Sequence, residues 1–338
     1  MKIIIIRRIF LFLLLVNFSV DVSFAAPKII LKFDDLKVNK NLSCPSIPTM
    51  EFLLQKKIKA GFGVIANQID ATALNELCPY LNATDSVGNN FFEFWHHGLD
   101  HVQPEFFGTS YAYQKLHFDS ASHLIKNFLG IQMHTFGTPF NASDEVTNAV
   151  VSEDINYKVF IFSSVNTLAS SGILNLNNRV NIENGTGIPD FNYFVTNYNA
   201  KKNIYKDYMV LQGHPNYWPA FKIEQLNKII EFLISEGCEF VLPYDYYRSL
   251  TLYPPTNLKI NVITGNQINL SWKDNTTSES NYKIERSTDG IIWTLIDTSP
   301  ENSVSYSDKN RPLSGSIYYR VYANCGIKSD YSNTVHIF

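Results

Sequence analysis

Positive charge is not in excess in this chain. Lys and Arg number 28 against 31 Asp and Glu, a net charge of −3, so no broad basic footprint for nucleic acid is visible. After the first 25 residues no run is long and apolar enough to span a membrane, and no cysteine follows that segment closely enough to carry a lipid. Internal repeats and heptads are missing, which excludes solenoids and coiled coils. Cysteine is scarce: Cys44, Cys78, Cys238 and Cys325 allow three pairings, of which Cys44–Cys78 is the plausible one, with Cys238 and Cys325 left as buried thiols.

Apolar residues make up 45% of the chain, charged ones 17% and aromatics 14%, a globular composition with ample core material. A length of 338 residues argues for two domains. The first 25 residues read as a signal peptide: Lys2, Arg7 and Arg8 precede an apolar run from Ile9 to Val16, and Ser23 and Ala25 carry the small side chains of a cleavage site. The expected protein is therefore secreted or periplasmic.

From residue 28 onward, short apolar runs recur at 28–35, 61–66, 90–97, 131–139, 157–164, 208–214 and 238–245. They lack polar alternation, as strands buried on both faces do. Helical periodicity separates several of them, most clearly in "TMEFLLQKKIKA" and "KIEQLNKIIEFLISEG". Alternating strands and helices predict parallel strands closed into a distorted (β/α)7 barrel over residues 26–252. The segment 170–199, rich in Asn and Gly, is expected to be a long loop. After "YPP" at 253–255 the pattern changes to short alternating strands with turn signals such as Asp289–Gly290, so 253–338 reads as an all-β, immunoglobulin-like sandwich.

Parallel barrels collect their reactive groups where strands end. Here the strand ends bring Asp34 and Asp35, then His96 and His97 followed by His101, then Pro139 and Phe140, then His214, with Asp245 after the seventh. His97 and His101 are four residues apart and would share one face of a helical turn; His96 is the alternative, at a spacing that suits a helix face less well. Two histidines and a carboxylate form a common Zn2+ triad with one position open. Asp35 is the natural third ligand, its neighbour Asp34 a base, and His214 an acid on the far side. Spacing alone would let the two aspartates exchange roles. His117, His123 and His134 have no such pattern and read as structural.

These motifs resemble the NodB-homology polysaccharide deacetylases, carbohydrate esterase family 4. "KFDD" at Lys32–Asp35 is similar to the family's Thr-Phe-Asp-Asp, and "HGLDH" at His97–His101 to its His-Ser/Thr-x-x-His. "FGTPFN" at Phe136–Asn141 meets the third motif in part, and "LQGH" ending at His214 resembles Leu-x-His. The resemblance spans roughly 28–250 and implies Asp34 as general base, Asp35, His97 and His101 as metal ligands, and His214 as general acid. It further implies an oxyanion donor at the Phe140 N–H beside Pro139, and an acetylated polysaccharide as substrate. Two departures stand out: Met133, His134 and Thr135 occupy the region of the family's arginine, and its Asp-x-x-Asp-Trp motif has no counterpart. Residues 253–338 resemble a fibronectin type III module, with Trp272 and Tyr319 or Tyr322 in the places of its core aromatics. A glycan-binding protein without turnover and a non-sugar amide hydrolase are the competing readings on this scaffold.

Overall fold

The computed structural model describes residues 26–164, 172–250, 252–277, 279–325 and 328–338; the expected signal peptide lies outside them. The first part of the chain forms one parallel sheet of eight strands. They are β1 (Lys28–Val38), β2 (Ala60–Ile69), β3 (Phe92–His96), β4 (Thr135–Phe136), β5 (Val159–Ile161), β6 (Leu174–Leu176), β7 (Arg179–Asn181) and β8 (Tyr208–Gly213). Their order is β6-β5-β4-β3-β2-β1-β8-β7. The edge strands β6 and β7 are consecutive in sequence and joined through Asn177 and Asn178. The chain itself thus crosses the seam where a regular barrel would close, which is the distortion of the barrel.

Two expectations are corrected here. The expected loop at 170–199 is, over its described residues 172–199, not a loop: it supplies β6, β7 and the start of a helix, in strands too short to show periodicity. The expected strand at 238–245 shrinks to one parallel bridge, Phe240 to Ile29. Pro243 explains this, because it starts a helix, where its missing N–H costs nothing.

Alternation along the strands sorts side chains between two layers. Ile29, Leu31 and Phe33 of β1 face outward with Leu226, Ile229, Ile230 and Leu233 of the helix Ile223–Ser235. Those four recur at helical spacing and are fully buried, so truncating any of them to alanine should cost about 2–5 kcal/mol. Ile30 faces the other way, into a lumen shared with Val159, Ile161, Leu176 and Val210. Above them the lumen is plugged by Trp95 of β3. Glycine is needed opposite this ring: a Cβ on Gly63 would lie 2.4 Å from the indole, and one on Gly137 2.9 Å.

The last helix of this part ends at Ser249, and the first strand of the antiparallel part begins at Thr256. A three-stranded and a four-stranded sheet follow, joined in a sandwich. Trp272 and Tyr319 are buried in its core, and Tyr319 Oη donates to Asp308 at 2.7 Å. Hydrogen bonds link it to the barrel part, among them Lys283 Nζ to Val87 O at 2.5 Å and Asn324 Nδ2 to Asn89 Oδ1 at 2.8 Å. Among the described residues no helix is long and apolar enough to cross a membrane. The Cys44–Cys78 pairing is not formed: Cys44 is a buried free thiol, whereas Cys78 is exposed.

Candidate metal centre

Neighbouring residues of a strand point to opposite faces, so Asp34 and Asp35 should not meet in one site. A register shift resolves this. Phe33 pairs with Phe62 and Leu36 with Val64, which leaves one extra residue in β1. Asp35 absorbs the bulge with φ of 64°, in the left-handed region where Asp is one of the tolerated residues. Both carboxylates then reach the same rim.

The histidines arrive from the end of β3. Alternation sends Trp95 and His97 inward and His96 outward. His96 lies against Phe118 of the helix Tyr111–Leu129, with ring centroids 4.8 Å apart. Its Nδ1 accepts from Gly98 N and its Nε2 donates to Phe118 O. Burial pushes its pKa down to about 4. It is a neutral core residue and not the alternative ligand. The helical turn expected for 97–101 is also corrected. Ala66 and Asn67 donate to Gly98 O and Leu99 O, so the chain runs on beside β2 through a bend at Gly98 and turns again at His101, φ 55°, without a helical turn. Gly98 is required at the bend, since its φ is 82° and a Cβ there would meet Pro139 Cγ at 2.6 Å. Buried Glu105 fixes the loop by accepting from Leu99 N at 2.6 Å.

Asp35, His97 and His101 place their ligand atoms within 4.8 Å of one another. His97 Nδ1 donates to the Gly137 carbonyl at 2.7 Å, which fixes the tautomer and leaves Nε2 as a bare lone pair. That nitrogen lies 3.3 Å from Asp35 Oδ1, and His101 Nε2 lies 2.9 Å from the same oxygen. Asp35 Oδ1 is buried and accepts no hydrogen bond among the described residues. Lone pairs converging on one buried point are what a divalent cation requires, so the donor set fits one.

Asp34 sits beside this cluster in a closed ring of hydrogen bonds. Fully buried Lys32 places Nζ 2.6 Å from both Asp34 oxygens. Gln212 Nε2 donates to Asp34 Oδ2 at 2.5 Å, Asn141 Nδ2 to Gln212 Oε1 at 3.2 Å, and Lys32 Nζ to Asn141 Oδ1 at 3.3 Å. Burial pushes the Asp34 carboxyl up, and the Lys32 ammonium above all, with His214, outweighs it, leaving the pKa below its usual value. The cation that meets Asp34 thus comes from β1 itself.

On the opposite side His214 Nε2 lies 3.8 Å from Asp34 Oδ2. Its Nδ1 is 2.6 Å from Glu183 Oε2, and its backbone N–H donates to the other Glu183 oxygen, which also accepts from Trp218 Nε1. Burial would lower the His214 pKa; Glu183 and the charge on Asp34 raise it above its ordinary value. Phe140 closes the rim. Its ring packs against that of His101 with centroids 4.6 Å apart and planes tilted by 43°, and Phe140 and Asn141 are both left-handed, φ 58° and 52°. The Phe140 N–H makes no hydrogen bond among the described residues, whereas Asn141 and Ala142 donate to Thr138 O and Pro139 O.

The structure therefore brings together Asp34, Asp35, His97, His101, His214 and Phe140, with Pro139 packed behind Gly98. Asp245 is elsewhere, 3.6 Å from Lys59 at the start of β2. Sequence reasoning missed Lys32, Gln212, Asn141, Glu183 and Glu105. Lys32 was detectable as a lysine at a lumen-facing position of an apolar strand; Glu183 carried no signal.

No family model matches the chain, and no curated protein matches it. Among solved structures it is similar to the Xyl-CE4 domain of a multidomain xylanase from the hindgut metagenome of Trinervitermes trinervoides, at 20% identity and TM-score 0.47 over 66% of this chain and 91% of that one. A family 4 acetyl xylan esterase from Clostridium thermocellum, solved with a cobalt ion, is similar at 16% identity and TM-score 0.47 over 65% of this chain and 90% of that one. An Fn3-like protein from Clostridium thermocellum is similar at 27% identity and TM-score 0.24 over 26% of this chain and 93% of that one.

Proposed function

We propose that the chain is a metal-dependent hydrolase that removes acetyl groups from an acetylated extracellular polysaccharide, as an N-acetyl amide or an O-acetyl ester. The observation that carries this reading is the convergence of Asp35, His97 and His101 on one buried point, with Asp34 and His214 on either side of it. Asp35, His97 and His101 would hold the ion, and the N2O donor set suits zinc. When bound, such an ion supplies Lewis-acid polarisation of an acyl oxygen and makes water more acidic.

The chain's own groups supply the proton transfers. As the oxygen of water bonds to the acyl carbon, Asp34 accepts its proton, held by Lys32 and Gln212 with one oxygen edge towards the rim. The Phe140 N–H is available to donate to the oxyanion. His214, protonated with its Nδ1–H on Glu183, gives its Nε2 proton to the departing nitrogen or oxygen as the bond to the acyl carbon breaks. Acetate and a free amine or hydroxyl result. The Lys32 cation on Asp34 supports turnover over the binding-only reading. Residues 1–25 support a secreted or periplasmic location, and 253–338 a spacer or weak binding module.

Acetate release from chitin oligomers, peptidoglycan and acetylated xylan, with and without chelator, tests the proposal. Chelator-sensitive release from any of them is expected; metal uptake with no release from acetylated glycans would replace it with the binding reading.

A further inference from the structure

A polar cavity of about 200 Å3 opens beside the reacting groups; its wall includes Arg179, Asn181, Glu183, Tyr193, Gln212 and His214, with Thr186 at its edge. Gln212 and His214 belong also to the site described above, so the cavity adjoins the reacting groups. Arg179 is the cation in its wall. It lies at the start of β7, and its guanidinium is oriented from two sides: Nε donates to Asn181 Oδ1 at 2.8 Å, and the guanidinium carbon stands 5.2 Å from the centre of the Phe162 ring.

The carboxylates within its reach are committed to other donors. Glu183 accepts from His214 N, His214 Nδ1 and Trp218 Nε1. Asp34 accepts from Lys32 and Gln212. Among the described residues Arg179 forms no ion pair, and no hydrogen bond from either Nη is found. A planar fork held at Nε in the wall of the cavity, with both Nη groups unbonded among the described residues and the neighbouring carboxylates engaged by other donors, suits a carboxylate that comes from outside. Asn181, Thr186 and Tyr193 add amide and hydroxyl groups suited to sugar hydroxyls.

We propose that this cavity is a carboxylate subsite, and that the substrate is an acidic acetylated glycan whose carboxylate sits on the acetylated sugar or on the one next to it. The inference rests on the deacetylase reading and narrows it.

The test uses matched pairs, an acetylated uronic-acid oligosaccharide and its carboxyl-reduced form, and an N-acetylated sugar with and without a lactyl ether. The wild-type protein should prefer the acidic member of at least one pair. Arg179→Gln should lower the acidic-to-neutral ratio of kcat/KM by about tenfold to a hundredfold, the scale of a lost charge-assisted pair. Arg179→Lys should recover part of that ratio, because charge remains without the fork. Binding of the unacetylated uronic-acid oligosaccharide to metal-free protein, by calorimetry, gives a readout independent of turnover. It should weaken on Arg179→Gln, while the carboxyl-reduced form binds both proteins alike. Equal ratios in wild type and Arg179→Gln, or metal-free binding that ignores the carboxylate, would overturn the subsite. Asp34→Asn separates the two levels: if it abolishes turnover while the ratio is insensitive to Arg179, the subsite alone is wrong; if Asp34→Asn is fully active, the deacetylase reading fails first.

Discussion

Replacing Lys32 by methionine isolates the least expected feature of the centre. The chain length is nearly conserved, so packing against Trp95 and Phe162, 5.1 and 5.2 Å from Nζ, should survive. What is lost is the cation 2.6 Å from both oxygens of a carboxylate that is 3% exposed. Breaking a buried pair by removing one partner costs about 3–5 kcal/mol, because the other charge stays buried. Lys32→Met should therefore lose about that much in denaturant unfolding at pH 8. The Asp34 pKa is depressed in the folded protein, so the pair stabilises above the ordinary carboxylate range and the benefit is lost as pH falls through the depressed value. The gap between wild type and Lys32→Met should narrow on acidification. Adding Asp34→Asn to Lys32→Met should recover about 2 kcal/mol or more, since no buried charge is left behind. Metal content should be unchanged and acetate release reduced about a hundredfold or more. A single-mutant loss under about 1 kcal/mol, or strict additivity in the double mutant, would refute the reasoning.

Glu183→Gln should shift the alkaline limb of kcat/KM to lower pH: Glu183 helps raise the His214 pKa, so without its charge the acid deprotonates earlier as pH rises. A pH profile of the variant on any active substrate checks this. Glu93, bonded to Thr135 and Tyr244, is pushed by burial from 4.5 to about 7. The folded protein therefore holds a proton that the unfolded chain releases, and stability from this group is present below about 4.5 and lost as pH rises through 7. Glu93→Gln should flatten the fall in Tm between pH 5 and 8. A chain ending at Leu252 should keep its metal and unfold cooperatively, because the barrel part has its own buried core; aggregation with loss of metal would place the boundary elsewhere.

The parts of this centre that were legible in the sequence are those whose chemistry is local. "KFDD" and "HGLDH" announce themselves because a carboxylate pair and paired imidazoles end apolar runs. Strand alternation also separates His97 from His96, once β3 is known to have one face on the lumen. The bulge at Asp35 was not legible: a single extra residue against β2 leaves no trace in composition, yet it decides that both aspartates share a rim. Lys32 looked like one position of a motif because its partners, Gln212 and Asn141, come from distant strands and turns. Glu183 and Arg179 were hidden by β6 and β7, three residues each, too short for any period to register.

The central claim is that Asp35 holds the ion while Asp34 moves a proton. Metal content and acetate release, measured together on Asp35→Ala and Asp34→Asn, test it most directly. The account predicts that Asp35→Ala loses metal, and that Asp34→Asn keeps it while turnover falls about a hundredfold or more. Metal retained in Asp35→Ala and lost in Asp34→Asn would contradict it.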